Sequence, residues 1–251
     1  MNLIHDQEAL RAYYRDEALA RDYIEERFVK PLGRVQHRIQ VETINDVIRS
    51  YRIDDIAEVA CGPARLTADV SGFKRGIAID TSDQMLEIAR RRVTNPDKWR
   101  FVNADAFNLK LNSRLELIYS FRFIRHFKAP DRIRLYKAFH GLLDNHGILI
   151  FDALHYEKIA FIRNMENREQ EKIYDKIYPD KKALEKEMYL AGYEILELKG
   201  VIRHFYTQAA ISRISNRLKM DRAGIKAIYF LERITLGRSL EWIVVCRKRQ
   251  T

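Results

Sequence analysis

The sequence predicts an α/β protein with a doubly wound, mostly parallel sheet and a helical cap at its N-terminal end. Three observations carry this. Short apolar runs of strand length, "IAEVA", "GIAI", "WRFV", "LELIYS" and "GILIFDA", follow one another from Ile56 to Ala153. Amphipathic helical stretches such as "SDQMLEIARRRV" and "DRIRLYKAFHGLLDNHG" stand between them. Strands alternating with helices demand right-handed crossovers, which cover both faces of a parallel sheet.

From Leu10 to Tyr51 the pattern is helical, and Ile44, Val47, Ile48 and Tyr51 recur at the spacing of one buried stripe. "KPLGR" interrupts it, so the arm reads as two or three helices broken at Pro31 and Gly33. Residues 1–52 are expected to form this arm, and residues 53–251 the core. In the helix after "LELIYS", Leu135, Ala138, Phe139 and Leu142 share a face. Insertions are expected at about 157–182, dense in charge and weakly periodic, and at about 207–237, which holds helical pieces near Thr207–Leu218 and Arg222–Thr235. Between them, "ALEKEMYLAGYEILEL" reads as a helix stopped at Gly192 and then a strand; "SLEWIVVCRK" is the last strand.

The totals set outer bounds. With 251 residues, 47% hydrophobic and 32% charged, the chain has the balance of a soluble globular domain. Its net charge of +10 attracts anions: nucleic acid, phosphorylated metabolites or acidic lipid headgroups. Two cysteines, Cys61 and Cys246, supply neither a disulfide framework nor a metal site of paired cysteines, which suits a reducing cytoplasm. No apolar run has the length of a membrane span and the first residues lack a signal-peptide core, so export and membrane insertion are not expected.

Ligands of such sheets bind at the carboxyl ends of the strands, beside the point where strand order reverses. The exit of the first strand, "AEVACGPARL", is therefore the place to look. A dinucleotide fingerprint would fall on Ala60, Gly62 and Arg65, and arginine in its third position obstructs helix–strand packing, which disfavours a nicotinamide dehydrogenase. The segment instead resembles motif I of the class I S-adenosylmethionine-dependent methyltransferases, an acid followed by small residues at alternating positions: Glu58, Ala60, Gly62 and Ala64. Two methyl groups are expected to be tolerated there if Gly62 alone adopts the special backbone dihedral.

Further matches to that family follow in order. "GIAIDTSDQML" resembles its second motif, which implies that Asp80 accepts from both ribose hydroxyls, with Thr81 beside it, Ser82 as a helix N-cap and Met85 against the adenine. "NADAFNL" resembles the third, which implies Asp105 at the adenine amino group and the Ala106 N–H at the ring. "LELIYSFRFIRHF", with Tyr119, resembles the fourth, the strand end facing the transferred methyl. The resemblance also implies a Rossmann-like sheet of seven strands, the antiparallel last one lying between strands five and six.

The cofactor so implied is S-adenosyl-L-methionine, whose sulfonium activates a methyl group, so the protein has mainly to hold a nucleophile in line and exclude water. For a hydroxyl acceptor a base helps. His126 is the first candidate, and His155, His204 and Tyr206 are weaker ones. Arg122 and Arg125 flank the same loop, as binders of a substrate phosphate or carboxylate or as surface charges. "YIEERFVKPLGRVQHRIQ" is similar to cap helices of methyltransferases acting on sugars, polyketides and glycans, which implies that Arg34 or His37 reaches the cofactor carboxylate and that the arm and the helices after Thr207 roof the substrate cavity. The expected partner is a small molecule, with an anionic acceptor suited to the positive charge. RNA methylation is the alternative, though no asparagine-proline-proline-tyrosine type motif follows the fourth strand; a non-catalytic cofactor-binding module is another.

Overall fold

In a computed structural model, residues 28–155 and 178–250 are described; the expected insertion at 157–182 falls almost wholly outside them, as does the arm before Phe28. Seven strands form one sheet in the order β3-β2-β1-β4-β5-β7-β6. They are β1 (Asp55–Val59), β2 (Arg75–Asp80), β3 (Trp99–Asn103), β4 (Leu115–Ser120), β5 (Leu143–Leu154), β6 (Tyr193–Val201) and β7 (Glu241–Lys248). The first five pair in parallel, and β7 runs antiparallel to both β5 and β6. Strand order reverses between β1 and β4, which opens a crevice above their carboxyl ends.

Among the described residues six α-helices flank the sheet: α1 (Pro31–Tyr51), α2 (Asp83–Arg92), α3 (Ala129–Leu142), α4 (Lys181–Leu190), α5 (Phe205–Arg217) and α6 (Asp221–Glu232). One core layer joins Ile44 and Ile48 of α1, Leu86 of α2 and Ile228 of α6 to Ile56 and Leu117 of the sheet. The other joins Leu135 and Phe139 of α3 and Leu184 and Met188 of α4 to Ile118 and Leu149. Arg132 of α3 is forked onto Glu187 of α4, with both bonds at 2.8 Å, and it also donates to the Phe127 carbonyl at 2.8 Å.

The expected break at Gly33 does not occur. Pro31 occupies the first helical position, where its missing N–H is one of the orphans anyway, and the helix runs 21 residues without interruption. Ser212 of α5 supplies the missing cap by accepting from the Leu32 N–H at 3.1 Å. Ile44, Val47 and Ile48 are buried as expected, whereas Tyr51, in the last turn, is exposed.

Gly76 of β2 pairs with Trp99 of β3, and the indole covers it; an added Cβ would come within 2.4 Å of the ring. Trp99 in turn meets Phe73 edge-on, with ring centroids 4.9 Å apart. Gly76→Ala is expected to destabilise the protein by about 1–3 kcal/mol through overpacking, read as a lower urea midpoint with unchanged slope.

Candidate active site

A cleft of about 1070 Å³, counted with the solvent at its mouth, lies across the exits of β1 to β4. Its floor is the β1 exit, and here the structure corrects the sequence reading. Gly62 is not alone in the left-handed region: Ala60, Gly62 and Ala64 have φ of 58°, 54° and 57°. Each alanine there costs about 1–2 kcal/mol, so the surroundings must hold the loop. They do so through the Cys61 N–H, which donates to the Ile79 carbonyl at 3.0 Å, and the Gly62 N–H, which donates to Asp80 Oδ2 at 2.8 Å.

Asp80 ends β2, and its Oδ1 accepts the Ser82 N–H at 3.0 Å. Burial pushes its carboxyl above the usual range, against the opposing pull of N–H groups from Gly62, Ser82 and Thr81. Ser82 caps α2 as expected, accepting from the Met85 N–H at 3.3 Å, and this turns the buried Met85 side chain into the cleft. After β3, Asp105 folds the chain by accepting from the Phe107 N–H at 3.1 Å and from the Asn108 amide at 3.2 Å. Ala104, Ala106 and Ile79 complete an apolar slot between the two acids.

Residues 56–147 match a family model described as a methyltransferase domain. Over that span the chain is similar to methyltransferases. No curated protein matches its sequence. Among solved structures it is similar to magnesium protoporphyrin IX methyltransferase from Synechocystis with bound S-adenosylhomocysteine, with 10% identity, TM-score 0.67, and coverage of 97% of this chain and 100% of that one. It is also similar to the N-methyltransferase NodS from Bradyrhizobium japonicum (12% identity, TM-score 0.57, 92% and 99% covered). A third is an S-adenosylmethionine-dependent methyltransferase from Clostridium acetobutylicum (16%, TM-score 0.58, 84% and 91%).

The residues of the cleft fit the methyltransferase cofactor. Oδ2 of Asp80 accepts the Gly62 N–H and Oδ1 the Ser82 N–H, and two carboxylate oxygens with about four lone-pair sites keep acceptor capacity for a vicinal diol. A Cβ built on Gly62 meets nothing within 4 Å, so the loop faces open cleft and not protein. Glu58, Ala60, Gly62, Asp80, Thr81, Met85, Asp105, Ala106 and His126 all line the cleft. Two expected cofactor contacts do not. Arg34 is exposed on α1, and Tyr119 is wholly buried beneath the loop, opposite Glu58 in the β1–β4 register. His37 is also away from the lining: its Nε2 lies 2.7 Å from Asp69 and its Nδ1 3.0 Å from Arg65.

Arg65, by contrast, does line the cleft. It is 5% exposed, donates to Gln40 of α1 at 2.8 Å, and stacks at 4.0 Å over the Phe28 ring. Sequence reasoning treated it only as an obstacle to dinucleotide binding. Its spacing, three residues after Gly62, was the available signal.

The far end of the cleft is aromatic. Phe107, Phe121, Phe123 and Phe127 line it, with Phe127 meeting Phe107 and Phe123 edge-on at 5.2 and 5.0 Å. His126, 4% exposed, belongs to the short 3₁₀ turn Ile124–His126. Arg122 also lines the cleft, in the left-handed region at φ 63°, and its N–H donates to Asp152 at 2.6 Å. Arg125 is neither a surface charge nor a cleft residue: it is buried between Asp152 and Glu241, the latter at 2.8 Å. His155 packs on Trp242, His204 lies against the Ile234 carbonyl and Tyr206 is exposed, all outside the lining. Nor does any residue of α1, α5 or α6 line the cleft, so the expected helical roof is not formed by them.

Glu58 sits under the loop, accepts the Thr67 hydroxyl at 2.5 Å and is pushed up to about 7 by burial. A carboxyl that holds its proton more tightly folded than unfolded adds stability below its ordinary value of 4.5, and that contribution is lost as pH rises through about 7. Glu58→Gln removes this dependence. Urea unfolding should therefore show the parent losing about 3 kcal/mol relative to the variant between mildly acidic and alkaline pH; parallel profiles would contradict the assignment.

Proposed function

We propose that this domain binds S-adenosylmethionine along the floor of the cleft and methylates a small hydroxylated, anion-bearing acceptor seated among the phenylalanines. The observation that carries the proposal is the placing of Asp80 and His126 in one cleft, with the aromatic end beside the histidine. Bound there, the cofactor supplies an electrophilic methyl group. Asp80 accepts from the ribose hydroxyls, the Met85–Ala106 slot holds the adenine, Asp105 accepts from its amino group, and Arg65 takes the carboxylate in place of Arg34.

The four phenylalanines exclude water from the acceptor side, which favours transfer to the acceptor over hydrolysis. His126 takes the proton of the acceptor hydroxyl, and Arg122 holds an acceptor carboxylate or phosphate. Phosphorylated or acidic members of the sugar-containing, lipid-linked and secondary-metabolite acceptors carry both a hydroxyl and such a group. A reducing cytoplasm suits the two unbridged thiols, both buried.

Two measurements test this reading. Asp80→Asn should weaken S-adenosylmethionine binding roughly ten- to a hundredfold by calorimetry, because an amide cannot accept on both atoms; unchanged affinity would remove Asp80 from the site. With an acceptor found by screening hydroxylated anions, His126→Gln should lower kcat about 10²- to 10⁴-fold and leave cofactor affinity alone. A kcat equal to the parent's would leave the histidine no chemical role.

A further inference from the structure

We propose that the hairpin of α5 and α6 docks the enzyme onto an anionic lipid bilayer. Residues 203–238 contain eight lysines and arginines and two acids, and so carry +6 of the chain's net +10. The two acids offset little at the surface. Glu232 is turned inward, accepting from the Ile202 N–H at 2.9 Å and the Gln208 amide at 2.5 Å, and Asp221 is partly buried at the start of α6.

The same hairpin leaves apolar groups in water. Of the ten large hydrophobic side chains exposed among the described residues, six are here: Tyr206, Ile214, Leu218, Met220, Phe230 and Leu236, between 43% and 75% exposed. They alternate with the cations. On α6, Arg222, Lys226 and Phe230 are exposed at i, i+4 and i+8, one face of the helix. On α5, Arg213, Ile214, Arg217 and Leu218 repeat the mixture, and Lys219 and Met220 carry it through the turn.

The opposite faces are committed. Ser212 bonds the start of α1, Tyr229 donates to Glu42 of α1 at 2.7 Å, and α5 and α6 cross so closely that a Cβ on Gly224 would meet Ser215 Oγ at 2.1 Å. Both helices thus rest on α1 and turn their mixed faces outward together. Interleaved cations and large apolar groups are the chemistry of an interfacial helix, in which apolar side chains enter the acyl boundary and long basic side chains reach back to phosphate. A nucleic acid would satisfy the cations but leave Phe230, Leu218 and Leu236 wet. No helix among the described residues is long and apolar enough to cross a membrane, so attachment by this face is peripheral. The inference is independent of the cleft and its ligand.

The test is flotation of the full chain with vesicles of phosphatidylglycerol mixed with phosphatidylcholine, against phosphatidylcholine alone. Binding is expected on the anionic vesicles and should weaken as salt rises. Arg222→Gln with Lys226→Gln should weaken it about 25-fold, since each cation near the surface contributes about fivefold. Phe230→Ser with Leu236→Ser should abolish the part that survives high salt. All four sites are exposed, and unchanged unfolding midpoints and S-adenosylmethionine affinity show that fold and cleft are intact. Equal flotation with both vesicle types, or variants that float like the parent, would overturn the proposal. So would a concentration-dependent dimer lost with Phe230→Ser, or RNA binding abolished by the same variants without any flotation.

Discussion

The hydrogen bond from the Gly62 N–H to Asp80 Oδ2 is the constraint on which the cleft depends. It fastens the exit of β1 to the end of β2, and it aims a carboxylate and a bare stretch of backbone at the same space. Three successive left-handed residues at alternating positions would not persist unaided, because two of them carry a Cβ. The loop is therefore held by Asp80 and the Ile79 carbonyl, and the buried Glu58 fastens the turn that follows it through the Thr67 hydroxyl. Glu58 and Asp80 are both pushed upward by burial, so the floor accumulates desolvated acid that hydroxyl or cationic ligand groups relieve.

Arg65 connects this floor to α1. The tautomer of His37 follows from its neighbours: an arginine at Nδ1 can only donate, so Nδ1 accepts and Nε2–H donates to Asp69. Burial and Arg65 hold His37 below its usual value, consistent with the neutral ring this pairing needs. Gln40 and Phe28 close the set around the guanidinium. Helix α1 thus acts on the cleft through a chain of contacts ending at Arg65, without itself lining the cleft.

The strands and the acids at their ends were legible because periodicity and strand-end residues are local signals, while the strand order was implied by the resemblance. Asp80, Ser82 and Asp105 follow their strands directly, so sequence spacing and spatial position coincide. The misreadings have a common cause in long-range partners. Gly33 looked like a break because the cap that lets α1 start at Pro31 comes from Ser212, far along the chain. Arg125 looked like a ligand or a surface charge because its partners, Asp152 and Glu241, lie on other strands. Tyr119 looked like a cofactor contact, yet on β4 its side chain turns beneath the loop, where cross-strand register and not sequence order decides its neighbour. The left-handed alanines were unreadable for a related reason: alanine at φ near 58° is allowed only by restraints the local sequence does not contain.

The loop after β4 is built differently from the one after β1. Its backbone turn at Arg122 is fixed by Asp152, and the next arginine, Arg125, is clamped between that same acid and Glu241, which also accepts from Gln36 of α1 at 3.0 Å. Burying a guanidinium between two carboxylates adds little net stability, but it is costly to disrupt, because removing one partner strands a charge away from water. Such a network holds geometry more than it supplies energy. It ties the exits of β4 and β5 to the start of β7, and Arg132 fixes the Phe127 carbonyl at the loop's far end. His126 and the phenylalanines are thereby set on a turn braced by buried arginines, while the loop after β1 is held by Asp80, a carboxylate that itself lines the cleft.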